Sequence, residues 1–448
     1  MNLRLTNIIV FFTIISTTLA FIPFQNPPWG TSNYNMSLSS ITMACNSSGF
    51  FNFSVGASFG ITSFDWSNNK AAWTKSIPMD DEELMMEQIA MTKALNPDNK
   101  IFNYINLVKA LPWFSNVREK LEDPEYNGFF LKFKPGGSLP NGSYHVPNCD
   151  TTFDPPLCST LYHDQEQSPC LESTCDGVCV DHCYTGGVPS GEYLWDWRNG
   201  TQLLNFIINE IILGPFGLGN KNISGFFIDD FWCSNIINGT GACTDPVQGP
   251  TEIDPHNQAD MGLSDEDVAD ITRGWLNGFT AVQQAIVDNG GYTWSLIPGQ
   301  QNANAMPTLI DTDNAAACAN LIRDSCSSNS IYQTTPLMFG IHPGNTTVPL
   351  PYLQQDIAAF LLMRGPFAYI GYGVWGMSWP AGMTWNNGKG TPVLRPVEMD
   401  TDYGAPTGLC TETAPNSNVF QRIYTKSRIV LNCNTFTANI TMVPTEEN

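Results

Sequence analysis

Apolar runs of strand length alternate with helical runs along most of this chain, and that alternation restricts its fold more than any other feature. Strand-like runs are read at 51–64, Ile101–Leu107, Leu161–Glu166, Glu192–Trp197, Ile223–Phe231, Tyr292–Ile297, Leu337–Ile341 and Phe367–Val374. Helical patterns lie between them at 81–96, with acids in the first turn, and at Trp113–Glu122, Gln202–Leu213, Asn314–Asp324 and Tyr352–Met363. One more helix opens on the capping pattern Ser264-Asp265-Glu266-Asp267 and runs to about Asp288. Strands and helices in this order predict an α/β fold, a (β/α)8 TIM barrel over residues 45–374. A Pro-, Gly- and Cys-rich insertion at about 134–190 reads as a disulfide-pinned loop over the barrel mouth. Past Trp375 the pattern changes, and Arg422–Tyr424, Ile429–Cys433 and Thr435–Thr441 read as short β segments. Residues 375–448 are therefore expected to be a β-rich C-terminal extension packed on the barrel.

Residues 1–20 have the form of a secretory signal: Arg4, an apolar run from Ile8 to Ile15, then Thr18-Leu19-Ala20. Sequons at Asn35, Asn46, Asn52, Asn141, Asn199, Asn222, Asn238, Asn345 and Asn439 suit the same route, to the outside or to a lysosomal or vacuolar lumen. In such a compartment the 13 cysteines predict disulfides. Local pairings of Cys318 with Cys326, Cys410 with Cys433 and Cys233 with Cys243 are expected, and Cys45 is left over. Zinc held by the Cys170–Cys183 cluster is the rival reading. A formal charge of −22 leaves no basic stripe for phosphates, so nucleic acid and anionic membrane are not expected partners. No nucleotide fingerprint, nucleophile elbow or paired metal-binding histidines occur, so neither cofactor nor metal is expected.

The segment Gly225-Phe226-Phe227-Ile228-Asp229-Asp230-Phe231-Trp232 carries the most chemistry. Side chains alternate along a strand, so Phe227 and Asp229 point one way while Phe226 and Ile228 suit the greasy strand–helix layer. Asp229 is then delivered into the barrel at a strand's carboxyl end, where such folds place their chemistry. Asp230 would meet the apolar layer if it stayed in the strand, so it is expected in the turn. Cleavage of a glycosidic bond needs two carboxyl groups, and a sugar ring packs well on an indole. Asp164 and Glu166 stand two apart on one face of an extended run, and mutual repulsion would hold one of them protonated. Asp196 ends another strand on one face with Arg198, where a structural ion pair is the first reading and catalysis the second. Asp65 is placed to bind a sugar hydroxyl, and Trp66, Trp195, Trp232, Trp294 and Trp375 fall at or beyond strand ends.

The Gly225–Trp232 stretch resembles the strand-end motif of TIM-barrel glycoside hydrolases, in particular the endo-α-1,4-polygalactosaminidase-like barrels. Asp402-Tyr-Gly-Ala-Pro406 and Phe420-Gln-Arg-Ile-Tyr424 are similar to the closing β segments of such barrels. The resemblance implies that Asp229 is catalytic with Asp230 as its neighbour, and it transfers no second acid. Combined with the residue reading, it predicts a secreted glycoside hydrolase acting on a poly- or oligosaccharide. Asp229 would be nucleophile or base, Glu166 the general acid tuned by Asp164, and Asp196 a reserve. The alternative is a lectin-like barrel that binds carbohydrate without cleaving it.

Overall fold

The computed structural model describes residues 34–36, 39–44, 49–134, 149–150, 157–158, 160–164, 184–230, 232, 255–295, 314–334, 337–342, 348, 350–366, 368–372 and 395–443. Strands β1 (Ser40–Ala44), β2 (Ile61–Phe64), β3 (Lys100–Asn106), β4 (Gly225–Asp229), β5 (Tyr292–Ser295), β6 (Leu337–Gly340) and β7 (Ala368–Tyr372) form one sheet. All its ladders are parallel, in the order β5-β4-β3-β2-β1-β7-β6. Apart from β5 and β6, strands consecutive in the chain lie side by side, and the last pairs with the first, as in a barrel opened at one seam. Among the described residues no ladder joins β5 to β6, and 296–313 between them lies outside those residues.

Helices pack around this sheet: α1 (Phe53–Ala57), α2 (Asp81–Leu95), α3 (Ser115–Glu122), α4 (Gly200–Phe206, continued by a π-helical stretch to Ile212), α5 (Asp265–Asp288), α6 (Ala315–Ser325) and α7 (Leu353–Met363). The sequence explains their starts. Asn52 accepts from the backbone of Ser54 and Val55 to cap α1, and Ser264 and Asp267 form a reciprocal capping box on α5. In β4 all five residues are buried, which is why it reads as an unbroken apolar run rather than an alternating one. Its Gly225 is required by close approach, since a Cβ there would lie 2.1 Å from the Tyr292 carbonyl oxygen on β5.

Three expectations about strands need correction. The run 51–64 divides into α1 and β2, because an apolar stretch with no clear period does not distinguish helix from strand. Leu161–Glu166 and Glu192–Trp197 supply no strand of the parallel sheet: His163–Asp164 and Glu192–Leu194 pair antiparallel with each other, and Glu192–Leu194 with Lys109–Ala110. The parallel sheet instead begins with β1, Ser40-Ile41-Thr42-Met43-Ala44, in which the β-branched pair Ile41-Thr42 is too short a run to announce a strand.

The C-terminal sheet is antiparallel, built from β8 (Thr411–Glu412), β9 (Val419–Ile423), β10 (Ser427–Asn432) and β11 (Thr437–Met442). It is fastened to α6 by Cys318–Cys433 and Cys326–Cys410, with Cα separations of 5.7 and 5.0 Å. The expected Cys318–Cys326 and Cys410–Cys433 pairs are therefore wrong. Cys318 lies in α6 and Cys326 at its end, about 12 Å apart along the axis at 1.5 Å per residue, too far to bridge. Residues 1–20, the cysteines from Cys170 to Cys183, and Cys45, Cys233 and Cys243 lie outside the described residues. Among those described, no helix is long and apolar enough to cross a membrane.

Candidate active site at the carboxyl ends of β3 and β4

In the parallel register of β3 and β4, Tyr104 stands beside Phe227 and Asn106 beside Asp229. Alternation turns these four side chains to one face, while Asn103, Ile105, Phe226 and Ile228 turn to the helix layer. There Asn103 Nδ2 donates to the Phe216 carbonyl at 2.9 Å. The strand ends thus gather a polar group inside the sheet. The Tyr104 hydroxyl donates to Asp229 Oδ2 at 3.0 Å, Asn106 Nδ2 donates to the Tyr104 hydroxyl at 3.0 Å, and the same nitrogen donates to Asp230 Oδ2 at 2.6 Å. Lys109 Nζ closes the row, 3.3 Å from Asp230 Oδ2 and 2.8 Å from Glu192 Oε2.

Asp230 has left the strand. Its φ of 55° lies in the left-handed region, which Asp tolerates better than most residues, and this turns its carboxylate toward Asn106 and Lys109 instead of into the apolar layer. Asp229 stays within β4 and is only 8% exposed; its Oδ1 has no hydrogen-bond partner among the described residues. Burial, and then the Asp230 charge, push the Asp229 carboxyl up to about 8, against smaller downward pulls from Lys109, the Asp230 backbone and Tyr104. Burial likewise raises the Tyr104 hydroxyl well above the usual phenol range, so it serves here as a proton-bearing donor.

The sequence-nominated residues are distributed around this center. Asp196 is committed elsewhere: Arg198 holds it through Nε at 2.9 Å and Nη2 at 2.7 Å, and bridges on to Asp267 at 2.8 Å. Asp164 sits by backbone register opposite Glu192, whose carboxylate holds Lys109, so this stretch borders the site; Glu166 lies outside the described residues. Asp65, just past β2, is buried and pushed up to about 7 by burial, against hydrogen bonds from Ser67. Trp66 is half-buried in a cluster with Trp73 and Trp113, and Lys70 Nζ lies 5.1 Å from its ring center. Trp195 is fully buried, stacked 5.2 Å from Phe130 and donating to the Asn106 carbonyl, so it braces the β3 end. Trp232 is also fully buried. Trp294 lies in β5 in register with Phe227, and Trp375 falls outside the described residues.

Sequence reasoning passed over Tyr104, Asn106, Lys109 and Glu192. The available signal was Tyr104 and Asn106 alternating at the carboxyl end of an otherwise apolar strand. A cavity of about 20 Å³ behind β3, lined in part by Tyr104, Asn106, Lys109, Glu82 and Trp195, has room for one water and not for a sugar ring.

No protein-family model matches the chain, and no curated protein matches it in sequence. Among solved structures it is similar to the sucrose 6F-phosphate phosphorylase of Thermoanaerobacter thermosaccharolyticum (10% identity, 91% of this chain and 96% of that one, TM-score 0.38). It is also similar to the isomaltulose synthase of Klebsiella sp. LX3 (11% identity, 89% and 91%, TM-score 0.43). A third such structure is the cyclic alpha-maltosyl-(1→6)-maltose hydrolase of Arthrobacter globiformis (10% identity, 90% and 91%, TM-score 0.36). Overlaps at this level carry no argument about the chemistry of this chain.

Proposed function

We propose that this chain is a glycoside hydrolase of (β/α)8 type, exported through the secretory pathway, with Asp229 as its general acid. One observation carries the reading: two adjacent carboxyl groups at a strand's carboxyl end sit in opposed environments. Asp229 is buried and driven toward its neutral form, while Asp230 is turned out and ion-paired with Lys109. Groups whose surroundings push them apart in this way divide acid and base work between them. A neutral carboxyl at working pH suits protonation of a leaving oxygen, so Asp229 is assigned the acid's role rather than that of nucleophile or base. With Asp196 bound to Arg198 and Asp230 to Lys109, the partner carboxylate is proposed from Asp164 and Glu166, on the stretch that borders Glu192. The substrate is proposed to be a poly- or oligosaccharide, and the resemblance of Gly225–Trp232 to polygalactosaminidase-like barrels supports amino sugars as the first to try. Export is supported by the signal-like residues 1–20, the sequons, and the disulfides fastening the C-terminal sheet. Release of reducing ends from a glycan panel, with Asp229→Asn as the control, tests the function. Binding without release would replace the enzyme by a lectin-like protein.

A further inference from the structure

We propose that Asn106 is a positioning residue: it fixes the direction of the hydrogen-bond chain through Tyr104, so that the proton Asp229 delivers is confined to Oδ1. The inference rests on the reading of Asp229 as general acid. Asn106 Oδ1 accepts from the backbone N–H groups of Val108 at 2.9 Å and Lys109 at 2.7 Å. Backbone N–H groups can only donate, so the amide can face only one way round, and its Nδ2 must face Tyr104 and Asp230. Nδ2 has two hydrogens and two acceptors, the Tyr104 hydroxyl oxygen at 3.0 Å and Asp230 Oδ2 at 2.6 Å. The single Tyr104 proton is therefore left for Asp229 Oδ2, at 3.0 Å. An Oδ2 that accepts from Tyr104 leaves Oδ1 to carry the acid proton. Oδ1 is the buried oxygen without a hydrogen-bond partner among the described residues. The titratable groups facing Asp229 are Tyr104 from β3, Asp230 beside it, and Lys109, itself held by Glu192.

The direction of the chain determines the sign of a measurable shift. If Tyr104 donates to the carboxylate, removing its hydroxyl raises the Asp229 midpoint. If instead a protonated Asp229 donates to Tyr104, the same removal lowers it. Infrared titration of protein carrying ¹³C-labelled aspartate, with the Asp229 band assigned by its loss in Asp229→Asn, reads the midpoint without any substrate. Tyr104→Phe should raise it by about one pH unit. Asn106→Asp can still accept from Val108 and Lys109 but cannot donate to Tyr104, so it should raise the midpoint more in the wild-type background than in Tyr104→Phe. That difference isolates the route through Tyr104 from the added charge. A lowered midpoint in Tyr104→Phe, or an equal effect of Asn106→Asp in both backgrounds, overturns the inference. A wild-type Asp229 that titrates in the ordinary carboxylate range overturns the general-acid reading itself, and so separates the two failures.

Discussion

At the scale of single residues, Asp229 and Asp230 show how one covalent step along the chain yields two different acids. Asp229 is held within β4 and buried, whereas Asp230 passes into a left-handed turn and pairs with Lys109. A general acid works only while protonated, so turnover should fall as pH rises through about 8, the value to which burial and Asp230 push Asp229. Asp229→Asn keeps the shape and neutrality of the buried group but removes its proton. It should lower kcat by several orders of magnitude with the circular dichroism spectrum unchanged. Asp230→Asn should cost less, on the order of 10² to 10⁴, and should move the alkaline limb to lower pH by removing the neighbouring charge. Rate profiles of both variants on one glycan check this, and an active Asp229→Asn enzyme refutes the assignment. Asp229 was legible in the sequence because alternation along an apolar strand places it without knowledge of any neighbour. Tyr104, Asn106 and Lys109 were not legible, because their importance lies in the β3–β4 register, which pairs residues more than a hundred positions apart.

Among the elements, α7 shows how the C-terminal sheet is seated on the rest of the chain. The helix is buried from Asp356 to Met363 and its carboxyl end faces β9. Arg422 Nη1 donates to the carbonyls of Leu361, Leu362 and Arg364 at 3.2, 3.1 and 2.7 Å, and the Tyr424 hydroxyl donates to Leu361 at 2.6 Å. A cation at a helix carboxyl end meets the negative end of its dipole, and here it also satisfies carbonyls that water does not reach. Arg422→Met fills similar space but leaves those carbonyls unpaired, and should destabilise the chain by about 2 to 3 kcal/mol, read from urea unfolding. A loss below about 0.5 kcal/mol would show that Arg422 is not what seats the sheet. The sequence announced β9, β10 and β11 by their short apolar runs, yet it paired the cysteines within segments instead of between them. The same limit explains the strands at 161–166 and 192–197. Local pattern identifies a strand, but the antiparallel partner that removes it from the parallel sheet is chosen by tertiary packing.

For the whole molecule, the buried carboxyl groups set how stability follows pH. Burial pushes Asp65 up to about 7, Glu82 and Asp229 up to about 8, and Asp81 well above its usual range, with Asp65 adding to the last. Each of these has a folded value above its unfolded one, so the folded chain binds more protons than the unfolded chain throughout the interval between them. Their contribution to stability is whole below about pH 4 and is lost as pH rises through about 7 to 8, at up to ~1.4 kcal/mol per pH unit for each extra proton held. Asp267, Asp402 and Glu412, none of them buried, act oppositely: hydrogen bonds from Ser264, Lys426 and Arg323 hold them low, and their smaller contribution disappears as pH falls below about 4. Stability should therefore peak near pH 4 to 5 and decline toward pH 8, a profile suited to an acidic medium. The formal charge of −22 would produce a decline of the same sign through self-repulsion. Salt separates the two causes, because roughly 1 M salt shortens the Debye length to about 3 Å and screens surface charge while leaving buried groups little affected. Melting temperatures across this range at low and high salt should retain most of their slope, and the combined variant Asp65→Asn, Glu82→Gln, Asp229→Asn should flatten it. Stability that rises from pH 5 to 8, or a slope abolished by salt alone, would remove the buried carboxyl groups as its cause.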